Sequence, residues 1–533
     1  MVMQLFNEED LVNADVILPE ITKSQLSQAK DQPKWLHFGG GNLFRAFHAE
    51  IGQKLANQGE LAGGIAVCET FDEAVISQIY QPADNNILEV ILHEDGKLEK
   101  KLLNVVTSSH FCQPEAAAAF EKVSELFSEK SLQMVTVTIT EKGYSLIDNN
   151  NEFLTIVKED FNNGPQRATH TMSIIASLLY RRFQANQAPL ALVSTDNFSQ
   201  NGAKFKQSIL TIIEQWVKNQ LVPSQLLNYV QDSSKITFPY SMIDRITPGP
   251  SEAVAEQLTK AGLDGMTIMQ TTKGTKIAPF SNTETTYYLV IEDSFPNGRP
   301  PLELADVILT NQNAVNAIDE MKVTACLNPL HTAMAIFGCL LGYQSIAREM
   351  SDDDIVGLIK GVGYLEGLPM VADTPMINAQ KFIDVVIEKR LPNPMIPDTP
   401  QRIATDTSQK MSVRYGETIK KYLLKQSDAS KLKYIPLTIA AWLRYLLAID
   451  DFGNELQLSP DPLLEDLQKQ LEIIAFENSV DVHSALKPIL ENSSIFGLNL
   501  YEAELGARIE KYFAEMIREK GAVRQLLHRI VTE

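Results

Sequence analysis

Cysteine is scarce in this chain. Cys68, Cys112, Cys326 and Cys339 are scattered through 533 residues with no CxxC pair. Neither a disulfide framework nor a cysteine zinc site is expected, and a reducing, cytoplasmic setting fits. Positive charge is also short: 47 Lys and Arg against 67 Asp and Glu give a net charge of −20. A nucleic-acid binder would carry a basic face, so nucleic acid is not an expected partner. An anionic small molecule is not excluded, because a local basic pocket can exist in an acidic protein. Long apolar runs are missing too. Residues 1–12 are acidic and lack a signal-peptide pattern. The run Thr332 to Tyr343 falls short of the about 20 residues a bilayer span needs, and Arg444 interrupts Ile439 to Ile449, so no membrane partner is expected. His37, His93, His110, His170, His483 and His528 show no ligand spacing and read as structural or surface residues, so no metal is expected.

What is present is the balance of a globular protein, 44% hydrophobic and 21% charged. The length exceeds what one hydrophobic core holds, which predicts two or three domains. Residues 1–33 read as a polar, helical N-terminal arm. Short buried strands follow at 34–38, 64–68, 134–139, 190–194 and 287–291, with a helix over 43–55. Alternating strands and helices imply an α/β, mostly parallel, doubly wound Rossmann-type sheet. The Pro/Gly-rich piece 292–301 reads as the domain boundary, which divides the chain into 1–300 and 301–533. Beyond it almost everything reads as helix: 303–320, 328–350, 376–390, 415–425, 435–450, 461–477 and 502–529. No internal repeat and no low-complexity tract is visible.

Two stretches carry chemistry. The first is Gly39-Gly40-Gly41, which leaves a strand and opens a helix. Glycines there let a backbone approach a pyrophosphate, and the helix N-terminus stabilises its charge. The third glycine of GxGxxG is absent, with Phe44 in its place. Arg45 in the first helical turn could reach a phosphate. Glu69 ends the second strand, where an acid grips adenosine ribose hydroxyls and repels a 2′-phosphate. That favours NAD over NADP.

The second stretch runs from Lys322 to His331 and brings an amine, a carboxamide (Asn328) and an imidazole within ten residues. Asn328 and His331 share a helix face, and the apolar segment after them reads as buried. A lysine among Val323, Ala325, Cys326 and Leu327 could have its pKa lowered by desolvation and serve as general acid/base. Downstream, residues 399–414 hold Arg402, Lys410 and Arg414. Arg402 and Lys410 could bind a carboxylate, which points to a sugar acid rather than a plain polyol. Asp244 and Arg245 read as a structural ion pair, and Lys142 as a turn or pocket residue past a strand end.

Several segments together resemble the polyol-specific long-chain dehydrogenases, the mannitol dehydrogenase family. They are Gly39-Gly40-Gly41-Asn42-Leu43-Phe44-Arg45, Thr138 to Tyr144, Ser194 to Asn197 with Asn201-Gly202, Asp244 to Pro248, Ile291 to Asp293, Asn328-x-x-His331, and Arg402 through Lys410 to Arg414. They keep the family's order over about residues 35–415. The resemblance implies a Rossmann-type N-terminal domain, a mostly helical C-terminal domain and an active site between them. It implies zinc-independent hydride transfer between NAD and the ketone of a sugar or sugar acid. Lys322 would be the general acid/base, Asn197 and Asn328 would hold the reacting oxygen, and His331 would orient substrate. Gly39, Gly41, Asn42, Leu43, Phe44, Arg45, Glu69, Thr140 and Glu141 would surround the cofactor, and Asp244, Arg402 and Lys410 the substrate. The expected reaction reduces D-fructuronate with NADH to D-mannonate. Tagaturonate and fructose are alternative ketones, and a sensor that kept the fold and lost the chemistry is the rival reading. One spacing departs from the family: Lys322 stands six residues before Asn328 instead of five, with Val323 at the usual place. Either the turn before the helix bulges, or another lysine serves.

Overall fold

The computed structural model describes residues 6–148, 150–372, 374, 376–425, 428–477 and 481–533; the first five residues of the expected N-terminal arm lie outside them. The chain divides into two units, 1–93 with 97–316, and 94–96 with 317–533.

The first unit is built on a six-stranded parallel sheet. Its spatial order is Val106–Phe111, Ile65–Glu69, Trp35–Phe38, Met134–Val137, Leu190–Ser194, Ile236–Thr237. In chain order this is 3-2-1-4-5-6, the doubly wound arrangement, with the chain reversing direction across the sheet between the first and fourth strands. Strand residues alternate between two cores, as a sheet covered on both faces requires. Leu36, Phe38, Val135, Val137, Leu190 and Leu192 enter one cluster. Trp35, Ile65, Val67, Met134, Ala191 and Val193 enter the other.

Around this sheet the sequence reading needs correction. The N-terminal arm is not all helix: beside helices Glu8–Asn13 and Lys23–Ser27, Val16–Ile17 pairs in parallel with Lys100 and Lys101. It edges a second sheet that includes Leu98–Leu103, Ile87–Leu92 and Phe280–Glu284. A third sheet joins Ser241–Asp244, Tyr288–Glu292 and Ile308–Thr310. The parallel pairing of Ile308–Thr310 with Val290 to Glu292 carries the Pro/Gly-rich piece into the first unit, so the division comes after residue 316 rather than 300.

The second unit is helical. Helix Gln312–Met321 leads into it, and Asn328–Leu340, Asp353–Lys360, Tyr434–Tyr445, Gly506–Met516 and Ala522–Thr532 follow. The long predicted helices are broken where a residue must take positive φ. Gly342 (φ 80°) ends the helix begun at Asn328, and Gly521 (φ 80°) splits 502–529 in two. The helical stretch Gln312–Leu340, 29 residues with a bend at Leu327, is long and apolar enough to cross a membrane; 83% of its most apolar window is buried in the protein.

Candidate active site

In the first unit the glycine turn sits at the carboxyl end of the first sheet strand. Gly39 has φ 102°, and a Cβ there would lie 1.9 Å from the Thr138 carbonyl oxygen, so only glycine fits. A Cβ on Gly41, in contrast, would meet nothing within 4 Å. The backbone is therefore open on the side where a pyrophosphate would approach. Arg45 N donates to Gly41 O (3.1 Å), and the N–H groups before it belong to the first helical turn, which has no partners inside the helix. These features fit a dinucleotide.

A buried relay beneath the turn holds it. Trp35 Nε1 donates to Thr136 Oγ1 (2.7 Å), and that hydroxyl lies 2.6 Å from His37 Nδ1. Gly39 O can only accept, so the neutral ring carries its proton on Nε2 and donates there (2.9 Å), and the bare Nδ1 accepts from the Thr136 hydroxyl. Burial pushes the His37 pKa well below the usual histidine value, so the ring is neutral and the relay keeps one direction. Sequence reasoning left His37 as a structural or surface residue. Its place two residues before the glycine turn, on the strand's inner face, was the available signal.

Glu69 is 8% exposed and accepts from Gly40 N (3.0 Å), Thr70 N (3.0 Å) and Phe71 N (2.9 Å). Burial raises its pKa, opposed by these N–H donors. It thus ties the glycine turn to the end of the second strand. Phe44 is fully buried, its ring 4.3 Å from that of His37. The aromatic ring that replaces the third glycine lies in the core and does not plug the nucleotide crevice. Arg45 is used otherwise than expected: it is 2% exposed, and Nη2 donates to Ala278 O (2.9 Å).

At the fifth strand's end, Asp196 accepts from Ile139 N (2.8 Å), Thr140 N (3.0 Å) and the Tyr144 hydroxyl (2.9 Å). It pins a turn in which Thr140 has φ 65°, an uncommon state for a β-branched residue and one found where function holds a backbone strained. Asn197, next in sequence, is exposed. Glu141 is at the surface, paired with Lys204 at 2.9 Å, and Lys142 is exposed. Asp244 is buried, 4% exposed. Arg245 pairs with Glu50 at 2.6 Å and approaches Glu89 at 3.6 Å.

In the second unit, residues Lys322–Cys326 form a π-helical turn, and Leu327 N donates to Lys322 O (3.1 Å). An i→i+5 turn takes up one more residue than an α-turn. It absorbs the extra residue between Lys322 and Asn328, so the turn does bulge. Helix Asn328–Leu340 then begins, with Pro329 in its first turn. Lys322 is 1% exposed and its Nζ lies 3.7 Å from Asp319. Asn328 and His331 are half-buried at the helix start.

Residues 412–424 pack against this start. Tyr415 OH donates to Pro329 O (2.8 Å), Thr418 Oγ1 to Thr324 O (3.0 Å), and Arg414 Nη1 to Thr332 Oγ1. Arg414 and Lys410 lie one helical turn apart. Burial brings the Lys410 pKa down to about 8, with the Arg414 charge second. Burial brings that of Arg414 down to about 10. Lys410 donates to the carbonyls of Thr405 and Ile403. Arg402, expected beside them, is 69% exposed in its side chain and paired with Asp398 at 2.5 Å. Arg414, not Arg402, is the half-buried cation beside Lys410.

The two units match two family models: the mannitol dehydrogenase Rossmann domain over residues 33–304, and the mannitol dehydrogenase C-terminal domain over residues 314–517. The chain belongs to the mannitol dehydrogenase family. It is an oxidoreductase. A D-mannonate oxidoreductase of Thermotoga maritima is 49% identical over 96% of this chain and 94% of its own length. A mannitol 2-dehydrogenase of Pseudomonas fluorescens, solved as a ternary complex with NAD and D-mannitol, shares the fold at TM-score 0.73 and 24% identity, covering 99% of both chains. A substrate-free D-sorbitol dehydrogenase does so at TM-score 0.78 and 23% identity, covering 96% of this chain and 97% of its own. Family membership agrees with the segments on which the resemblance was read. Among the described residues no group of three or more His, Cys, Asp or Glu side chains is placed to hold a metal.

Proposed function

We propose that this mannitol dehydrogenase family member reduces D-fructuronate to D-mannonate with NADH in the cytoplasm. The observation that carries the sugar-acid assignment is the pair Lys410 and Arg414. Both cations are half-buried, both have lowered pKa values, and among the described residues no ion pair joins either to a carboxylate. Two neighbouring half-buried cations favour an anionic ligand, which a hexuronate supplies and fructose does not. The D-mannonate oxidoreductase of Thermotoga maritima supports the same reading. Four buried, free thiols suit a reducing compartment.

The bound nicotinamide supplies the hydride. The chain's residues do the rest. Lys322 donates a proton to the oxygen as it gains charge, and takes it back in the reverse direction. Asn197 and Asn328 donate amide hydrogens to that oxygen, stabilising it without adding a full charge. His331 orients the substrate hydroxyls, and Asp244 accepts from one. Gly39, Gly41, Asn42, Leu43 and Phe44 contribute the backbone of the pyrophosphate turn. Glu69 grips the adenosine ribose, and its negative charge disfavours a 2′-phosphate, selecting NAD. Thr140 and Glu141 border the cofactor's nicotinamide half.

The test is NADH oxidation with fructuronate, tagaturonate and fructose side by side. Fructuronate should be turned over fastest. Preference for tagaturonate would change the stereochemical assignment, and turnover of fructose alone would remove the carboxylate argument.

A further inference from the structure

Beyond Glu69 the first unit has a cleft of 870 Å³ at the carboxyl ends of the second and third sheet strands. Thr70, Phe71, Phe111, Ile156, Thr171 and Lys273 are among its walls. Two large apolar side chains stand open there: Phe71 is 63% exposed and Ile156 39%.

Phe71 is held in place. Its N–H donates to Glu69 Oε1, the carboxylate that also binds Gly40 N. A hairpin of strands Met269–Gln270 and Lys276–Ile277 lies against it. Thr271 Oγ1 donates to Asp72 Oδ2 (2.6 Å) and accepts from Lys273 N (3.2 Å) and Thr275 N (3.1 Å). The hairpin tip is thereby fixed to the residue after Phe71, and Lys273 Nζ sits 5.5 Å from the centre of the Phe71 ring.

We propose that Phe71 is the stacking platform for the adenine base and that Lys273, on the latched hairpin tip, closes over it. The inference rests on the dinucleotide reading above and adds to it the residues that hold the adenosine end. The strand order places adenosine on this side of the sheet, past the acid that ends the second strand. The ring offers the base a flat apolar face, and Ile156 extends that apolar wall. The lysine stem is flexible, so its ammonium moves from the ring centre to the rim of the bound base. There it faces the acceptor nitrogens of adenine. Asp72 does not neutralise it, being engaged by Thr271 and by Ala74 N (3.3 Å).

The experiment measures NADH binding to the full chain by fluorescence, with AMP and nicotinamide mononucleotide as competitors. In Phe71→Ala the affinities for NADH and AMP should fall together, by about 10- to 100-fold for the loss of one base–aromatic stack. The affinity for nicotinamide mononucleotide should be unchanged, and Phe71→Trp should restore both losses. Lys273→Ala should weaken AMP in the same direction by a smaller factor. Unchanged AMP and NADH affinities in Phe71→Ala would overturn the proposal, as would an equal loss for nicotinamide mononucleotide. A parent protein that bound no NADH would overturn the reductase reading itself, so the two failures are distinguishable.

Discussion

Replacing Glu89 by Gln should stabilise the first unit, and increasingly so as the solution becomes more alkaline. Glu89 is wholly buried, and neither carboxylate oxygen has a hydrogen-bond partner. It faces Glu50, Arg245 and Lys101, with Glu99 nearby. Arg245 and Lys101 bind Glu50 at 2.6 and 2.9 Å. Burial raises Glu50, but these two cations outweigh it and bring its pKa down to about 2. Little attraction is left for Glu89: burial and then the Glu50 charge push its pKa from 4.5 up to about 8. A folded-state pKa above the unfolded one means that the neutral acid favours folding. Its contribution is full below pH 4.5 and is lost as pH rises through about 8. At 1.36 kcal/mol per unit, ionisation in the unfolded chain alone withdraws about 3 kcal/mol of stability by about pH 7. Glutamine keeps the shape and cannot ionise. The melting temperature of the parent, followed from about pH 5 to about pH 9, should fall relative to the variant, with the two curves converging at the acid end. Parallel curves across that range would refute the reasoning, because they would mean that Glu89 ionises equally easily folded and unfolded. The same result would follow if Arg245 turned from Glu50 to Glu89.

Other outcomes are expected at the site. Lys410→Met and Arg414→Met should each lower kcat/KM for fructuronate by about 10- to 100-fold, the worth of one charge-assisted hydrogen bond. Neither should change the rate with fructose, and equal losses on both substrates would show that the cations only support the helix. Lys322→Ala should cut kcat by about 10²- to 10⁴-fold while NADH binding, followed by fluorescence, is kept. Gly39→Ala should destabilise the first unit by about 2–5 kcal/mol and weaken NADH binding, since the new methyl meets the Thr138 carbonyl and the backbone holds positive φ. A melting curve and an NADH titration check it, and retention of both stability and affinity would show that the turn can relax.

The fold's centre was legible because its signals are local. Four of the six parallel strands are short apolar runs ending at glycine or polar turns, and the glycine turn announces itself between a strand and a helix. Val106–Phe111 was not legible: its residues Thr107, Ser108, Ser109 and His110 are only half-buried, so no apolar run marks it. Edge strands such as Val16–Ile17 are defined by what they pair with, which no window of sequence contains. The role of Asp196 is hidden in the sequence for the same reason. Its carboxylate caps the neighbouring strand's turn, at Ile139 and Thr140, 56 residues back at the nearer of the two.

The cations of residues 402–414 show where a sequence signal existed and was passed over. Asp398 and Arg402 stand four apart across a helix start capped by Thr399, the spacing at which opposite charges pair. An arginine so neutralised is a poor choice to bind an anion. Lys410 and Arg414 are also four apart, but they are like charges, and like charges at that spacing repel. The folded chain holds both half-buried, so the repulsion is a standing local cost. The extra residue between Lys322 and Asn328 follows the same logic of local cost and local use. Counting residues cannot tell an α-turn from a π-turn, but a π-turn has poorer hydrogen-bond geometry and persists where a side chain must be kept in register. Here it takes up the one extra residue between Lys322 and the helix start that bears Asn328 and His331. A Val323 deletion, which restores the five-residue spacing, should therefore convert the turn to α-helix and leave turnover largely intact. Loss of turnover in a deletion variant that keeps its melting temperature and NADH binding would refute this reading of the turn.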